Sequence, residues 1–447
     1  MIVRIENIRT EGLGDSTYIV VHDGLAVIVD PQRDFDRFEH VLNDTGSDLR
    51  LVLETHLHND YVSGGKSLAG KLNAELVLPA GAAPAFRHKP AFHQEDIEAG
   101  PIRVRPIHTP GHTPEHMSYL LIVEDEMHAV FSGGSLLVGS AGRTDLLGSD
   151  RAETLTRLQY LSVNRLARLP EDVGLYPTHG AGSFCTASGT GELVSTIGDE
   201  RKTNPTLSHP DEDSFVKAQL EGLVPYPSYY RHMGPTNLMG PPPPPGLATP
   251  EIERRALEAL GDDVAVIDMR SKKEFAGGHL RGSIGIPLRE DFGVWVGWVL
   301  PYQTPLALVA NRDQDLEEAR RQLLRIGFDD IRGVILDLSD WEGDLVAFRT
   351  VDTIEFAAAA GEGNQILDTR APDEWDTGVI EGSVLQYTPD VAQNVSTELE
   401  AEREVYVACG TGYRATIAAS FLENEEFDPV VLVDAGVTEV LSALSNG

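Results

Sequence analysis

Two segments of this chain are close copies of one another, and no other feature restricts its fold as strongly. VAVIDMRSKKEFAGGHLRGSIGIPL, starting at 264, is matched by NQILDTRAPDEWDTGVIEGSVLQY, starting at 364. Asp268, Arg270, Glu274, Gly278, Gly282 and Ser283 recur as Asp368, Arg370, Glu374, Gly378, Gly382 and Ser383. Each copy continues into an apolar stretch, LALVA or VYVAC, then a polar loop and an amphipathic helical pattern. Strands alternating with helices predict parallel sheets. A solenoid needs more than two copies, so the expectation is two small α/β domains, 251–347 and 351–447.

Pro241 to Pro245 mark the boundary upstream, because five prolines can enter neither a helix nor a central strand. Thr249 is expected to cap a helix with Pro250 at its first position. The segment 1–245 reads as a third domain of mixed character. STYIVVHDGLAVIVD is a hairpin about Asp23-Gly24, LRLVLET, AELVLP, IRVRPI and HMSYLLIVE are strands, and ETLTRLQYLSVNRLARL is a helix.

A net charge of −34 argues against nucleic acid or an anionic membrane as a partner. Solubility accounts for the charge, and adaptation to high salt is a second reading, since only seven of the basic residues are lysines. No apolar run reaches the length of a bilayer span. MIVRIENIRTEG has no apolar core of a signal peptide, so a cytoplasmic location is expected. Cys185 and Cys409, the two cysteines, make neither a disulfide framework nor a cysteine zinc cage. Oligomeric state stays open, with a homo-oligomer among the options.

Chemistry concentrates in two places. THLHNDY follows a strand and brings His56, His58 and Asp60 within five positions. His112 lies in TPGHT and His179 in PTHG, each where a strand meets a loop. Imidazoles on such loops can converge on one cation, with a nearby carboxylate orienting them. The second place is ACGTGYR, where Cys409 ends a strand and Arg414 opens a helix. Backbone N–H groups, a helix N-terminus and a guanidinium around one sulfur stabilise a thiolate or persulfide. Cys185, near His179 in the sequence, reads first as a packed thiol and second as a contact for a substrate persulfide.

THLHNDY, TPGHT, GRTDL at 142–146 and PTHG resemble the metallo-β-lactamase fold in its glyoxalase II and persulfide dioxygenase branch. ERKTNPTL at 200–207 and YYRHM at 229–233 resemble the same branch. The resemblance implies an αβ/βα sandwich with a metal between its sheets. It assigns His56, His58 and His112 to a first metal, and Asp60 and His179 to a second whose remaining ligand is lost to Tyr61. The persulfide dioxygenases of that branch hold one ferrous iron, so the implied cofactor is one mononuclear metal, Fe(II) first and Zn(II) as the alternative; Gly134 stands where the family has that metal's aspartate. Three outcomes remain: His58 completes a three-histidine site, water fills the gap, or the site is empty. Tyr61 either packs or directs its phenol at bound oxygen or sulfur, and Arg201, Lys202, Tyr230 and Arg231 fall where the branch binds an acidic thiol.

The two repeats are similar to rhodanese sulfurtransferases. Only the second has the thiol, because Asn311 replaces the nucleophile of the first and Leu316 its arginine. The combination resembles fusions that couple persulfide oxidation to sulfur transfer. Implied partners are a low-molecular-weight thiol persulfide and sulfite or thiosulfate. The competing readings are a glyoxalase II-like thioester hydrolase, or a sulfurtransferase whose first domain no longer catalyses.

Overall fold

The computed structural model describes residues 3–185, 192–261, 263–341, 343 and 345–446. The chain divides into two compact units, Met1–Pro245 with Leu324–Gly327, and Gly246–Leu323 with Phe328–Gly447.

In the first unit, strand Asp15–His22 turns into Leu25–Val29 through Asp23 and Gly24, both at positive φ, as a two-residue hairpin turn requires. With Arg4–Thr10, Asp48–Leu53, Glu75–Pro79 and Lys89–Ala91 they form a six-stranded sheet. A second six-stranded sheet has Glu126–Gly133, Met117–Val123 and Ile102–His108 at its centre, with Gly174–Pro177 beside them. These strands are apolar on both faces because each sheet is covered twice. Tyr18, Val20, Val29 and Leu53 of the first sheet pack on Val104, Tyr119, Leu121 and Phe131 of the second. The intervening residues Ile19, Ile28 and Val52 face outward onto Phe38, Leu42 and Leu68, which lie on the helices Asp36–Thr45 and Gly65–Leu72. Ile107, Leu120 and Val130 do the same for Val163 and Leu166 on the helix Ser149–Leu166. The result is the expected αβ/βα sandwich, with the loops after Leu53, His108 and Pro177 carrying the histidines.

The second unit holds two parallel sheets. One runs Ile284–Gly285, Ala265–Asp268, Leu306–Ala310, Ile331–Leu336, and the other Arg349–Val351, Asp428–Leu432, Glu404–Ala408, Gln365–Asp368, Val384–Leu385. The repeated residues explain the shared shape. Arg270 forks onto Asp268 and donates to the Gly278 carbonyl at 2.7 Å, and Arg370 repeats both contacts with Asp368 and Gly378. Ser283 and Ser383 each return a hydroxyl to the carbonyl three residues back, across Gly282 and Gly382 at positive φ.

The expected helix start at Thr249-Pro250 is not observed. Pro250 to Ile252 pair with Val334 at the edge of the first sheet, through Val334 N–H to Pro250 O and Ile252 N–H to Val334 O. That edge satisfies their backbone, and the helix begins later, at Arg254–Glu258. No helix among the described residues is long and apolar enough to cross a membrane.

Candidate functional site

Three of the four expected histidine ligands occupy loops at one end of the sandwich in a common pattern. His56 Nδ1 lies 2.8 Å from the Thr55 hydroxyl, which itself donates to Asp30. The His112 Nδ1–H donates to the Arg143 carbonyl at 2.7 Å, and that of His179 to Asp15 at 2.8 Å. Holding each Nδ1 on an oxygen fixes the tautomer and turns the Nε2 lone pair inward, as in metal-binding imidazoles. The ligand atoms of His56, His112 and His179 lie within 4.8 Å of one another. All three side chains are buried. Burial, followed by the charges of neighbouring histidines, pushes His56 and His112 well below the usual histidine range, and burial is the largest cause lowering His179. Neutral rings are what a metal needs. The His112 Nε2 has no hydrogen-bond partner among the described residues, so these residues fit an ion. Three imidazoles suit Zn(II) and Fe(II) alike.

His58 is not in this set; its ligand atoms group instead with those of Asp60 and His179, and with those of Asp30 and Glu54. Its Nε2 lies 3.2 Å from Asp30 and 3.3 Å from Glu54, and its ring stacks on Tyr61 at 4.3 Å. Burial opposes its charge, but the two carboxylates outweigh burial and hold it well above the usual range. Glu54 has room because residue 65 is glycine: a Cβ there would sit 2.2 Å from the Glu54 carboxylate. Tyr61 is fully buried, and its hydroxyl donates to the Asp30 carbonyl at 3.2 Å. Its hydroxyl thus meets a backbone carbonyl, which is the packing arrangement of the two that the sequence left open.

Gly134 also has a different consequence from the one expected. The His112 ring fills the space of the missing side chain, since a Cβ at 134 would lie 2.2 Å from His112 Cδ2. The third candidate ligand beside His56 and His112 is His179. Asp60 lies 3.3 Å from His179, and its carboxyl is pushed up to about 8, by burial first and then by the charge of Asp15. Asp15, Asp30 and Glu54 were missed by sequence reasoning. So was His116, which accepts from the Gly134 N–H at 3.0 Å and stacks on His56. The histidine count in TPGHTPEH was the available signal for His116; isolated carboxylates carry none.

The expected substrate residues scatter. Arg201 pairs with Glu171 and Lys202 with Asp199, both on the exposed side of the helix Ile197–Thr203. Arg231 is exposed, and Tyr230 is buried against Tyr226 and Tyr229. Tyr229 and Asn237 touch the histidine loop instead, Tyr229 donating to Asp60 O at 3.0 Å and Asn237 to His58 O and Tyr61 O at 2.9 Å. A cleft lined by Glu54, His56, His58, Lys66, Phe86 and Asn237 opens beside the histidines.

In the second unit, Cys409 follows the strand Glu404–Ala408 and is 1% exposed. Gly412, at φ 79°, enters the helix Tyr413–Asn424 without a capping side chain, leaving first-turn N–H groups available to an anion. Arg414 forks onto Glu374, with Nη2 to Oε1 at 2.8 Å. Burial works against its charge, but Glu374 and then the Cys409 sulfur hold the guanidinium above its ordinary value.

Comparison with known proteins agrees with both halves. Residues 10–179 match the metallo-beta-lactamase superfamily, and 254–344 and 352–443 each match the rhodanese-like domain. The chain is a metallo-β-lactamase domain joined to tandem rhodanese-like domains. A metallo-beta-lactamase structure from Staphylococcus aureus is 29% identical with a TM-score of 0.68, covering 75% of this chain and 99% of that one. That is more than the metallo-β-lactamase domain alone would supply. The probable metallo-hydrolase of Burkholderia pseudomallei (strain 1710b) is 27% identical over 198 residues, 38% of this chain. The hydroxyacylglutathione hydrolase-like protein of Mus musculus is 37% identical over 109 residues, 24% of this chain. The chain spans 65% and 38% of the length of these two relatives.

Proposed function

We propose that this protein processes sulfane sulfur: the metallo-β-lactamase domain oxidises a low-molecular-weight thiol persulfide and Cys409 transfers sulfur. The observation that carries this reading is one chain bearing both a three-imidazole set and a cysteine loop with its arginine. His56, His112 and His179 would hold the ion, which as Fe(II) supplies Lewis acidity and the redox chemistry that dioxygen needs. The chain's own contribution is to keep those rings neutral and oriented through Thr55, Arg143 O and Asp15. In balance, persulfide, dioxygen and water become thiol, sulfite and two protons. At the second site the Cys409 thiolate attacks the outer sulfur of thiosulfate. The S–S bond breaks, sulfite leaves with the electron pair, and a Cys409 persulfide remains; the reverse step makes thiosulfate. Arg414 lies beside the sulfur as a fixed positive charge.

A glyoxalase II-like thioester hydrolase is the second reading, favoured by the similarity to a hydroxyacylglutathione hydrolase-like protein. Tyr61 and Gly134 weigh against it, because a second metal loses a ligand at each. Metal analysis with oxygen uptake on glutathione persulfide separates the two. Iron with oxygen consumption and sulfite formation is expected, whereas two zinc ions with thioester cleavage would reverse the assignment. Within the metal site, His179→Ala should empty the ion while His58→Ala retains it, as measured by bound metal per chain. The opposite pattern would restore His58 as a ligand.

A further inference from the structure

The loop carrying Cys409 is held from outside its own repeat. Lys272 opens the helix Lys272–Gly277 of the cysteine-less repeat. Its ammonium donates to the Thr411 carbonyl at 2.7 Å, inside the Cys409–Arg414 loop, and to the Val433 carbonyl. Val433 O is also the atom on which Gly412 packs: a Cβ at 412 would sit 2.3 Å from it. One cation thus ties the sulfur loop to the end of the adjacent strand Asp428–Leu432. The next residue of the loop, Tyr413, donates its hydroxyl to Pro287 O at 3.1 Å, and the Arg289 guanidinium lies 3.5 Å from its ring centroid. Behind the loop, Phe275 and Ala276 share the core cluster that contains Cys409, and the Gly285 N–H reaches Ser420 at 3.0 Å. The position matching Lys272 in the other repeat is Pro372, so this reach is not part of the common frame.

We propose that the cysteine-less repeat serves as the positioning partner of the sulfur site, and that Lys272 is the positioning residue through which it acts. The proposal rests on the reading of Cys409 as the sulfur carrier. A loop with glycines at 410 and 412 has many conformations to lose, and stabilising an anionic sulfur requires donors aimed in advance. A peptide unit is planar and trans, so directing the Thr411 carbonyl at Lys272 also fixes the Gly412 N–H, which points the opposite way. The ammonium adds a positive charge to a loop that must bear an anion.

The test uses the full chain and reads Cys409 both chemically and kinetically. Alkylation by iodoacetamide is followed with Cys409→Ser as the background for Cys185, and thiosulfate–cyanide transfer is measured in parallel. Lys272→Met is expected to slow alkylation and lower kcat by about tenfold, with KM little changed. Lys272→Arg should restore most of both. Lys273→Met removes a surface pair with Asp434 and should leave both rates as they are. Should Lys272→Met fail to fold, Lys272→Gln is read the same way. Wild-type alkylation and transfer in the Lys272 variant would overturn the proposal. A chain whose alkylation follows Lys272 but which transfers no sulfur, from thiosulfate or a thiol persulfide, supports the positioning role and overturns the carrier reading.

Discussion

In the first rhodanese-like repeat, the residue just past the strand Leu306–Ala310 is Asn311, whose amide donates to Glu274 at 2.8 Å. In the second, the residue just past Glu404–Ala408 is Cys409, and the matching Glu374 receives Arg414 instead. The glutamates cap the same turn, Glu274 on the Ser271 N–H and Glu374 on the Ala371 N–H. Their other oxygen takes Asn311 in the first repeat and Arg414 in the second, and Arg414 reaches the capping oxygen of Glu374 as well. In the first repeat the Asn311 N–H is further consumed by the Gln314 side chain, whereas the helix after the second loop starts at Gly412 without a capping side chain. A frame of Asp, Arg, Gly and Ser makes the fold twice, and the six loop positions 311–316 and 409–414 are where the two repeats part.

That division can be broken in several ways, the largest first. Cys409→Ser should lower thiosulfate–cyanide transfer by about a thousandfold or more while leaving bound metal unchanged. Transfer surviving in that variant would move the chemistry away from the second repeat. Next come the arginine forks: Arg270→Met and Arg370→Met each leave a buried aspartate unpaired and should cost about 3–5 kcal/mol in urea unfolding. Clearly unequal losses would mean that the two frames are not equivalent. Putting both missing groups into the first repeat, Asn311→Cys with Leu316→Arg, should yield less than about 1% of the wild-type transfer when introduced into a Cys409→Ser chain. Gln314 still occupies the loop donor there, and Asp313 and Asp315 repel an anion; robust transfer would show that the cysteine and arginine suffice. Smallest is Glu274→Ala, which removes a capping box and should cost about 1 kcal/mol with no change in transfer.

Legibility varied with how local the physics was. Strand alternation, the Asp-Gly hairpin and the repeat were readable because each depends on neighbours within a few positions. Cys409 and Arg414 were readable too, since one loop contains both. The histidines were recognisable as a group, yet the ligand set was not. Whether His58 or His179 joins His56 and His112 depends on Glu54, Gly65 and Tyr61 providing another place for the His58 ring. Arg201 and Lys202 could not be told from surface residues by type, and the structure leaves them at the surface.

By itself, the sequence determined the order of domains and the identity of the loop that bears a thiol. Those follow from residue type and from spacing along one strand-loop-helix unit. The tertiary structure alone decided which three imidazoles face one another, and that Lys272 of one repeat reaches Thr411 of the other. Both bring together groups far apart in the chain, 123 residues from His56 to His179 and 139 from Lys272 to Thr411, and a buried charge or lone pair takes whatever partner the packing supplies.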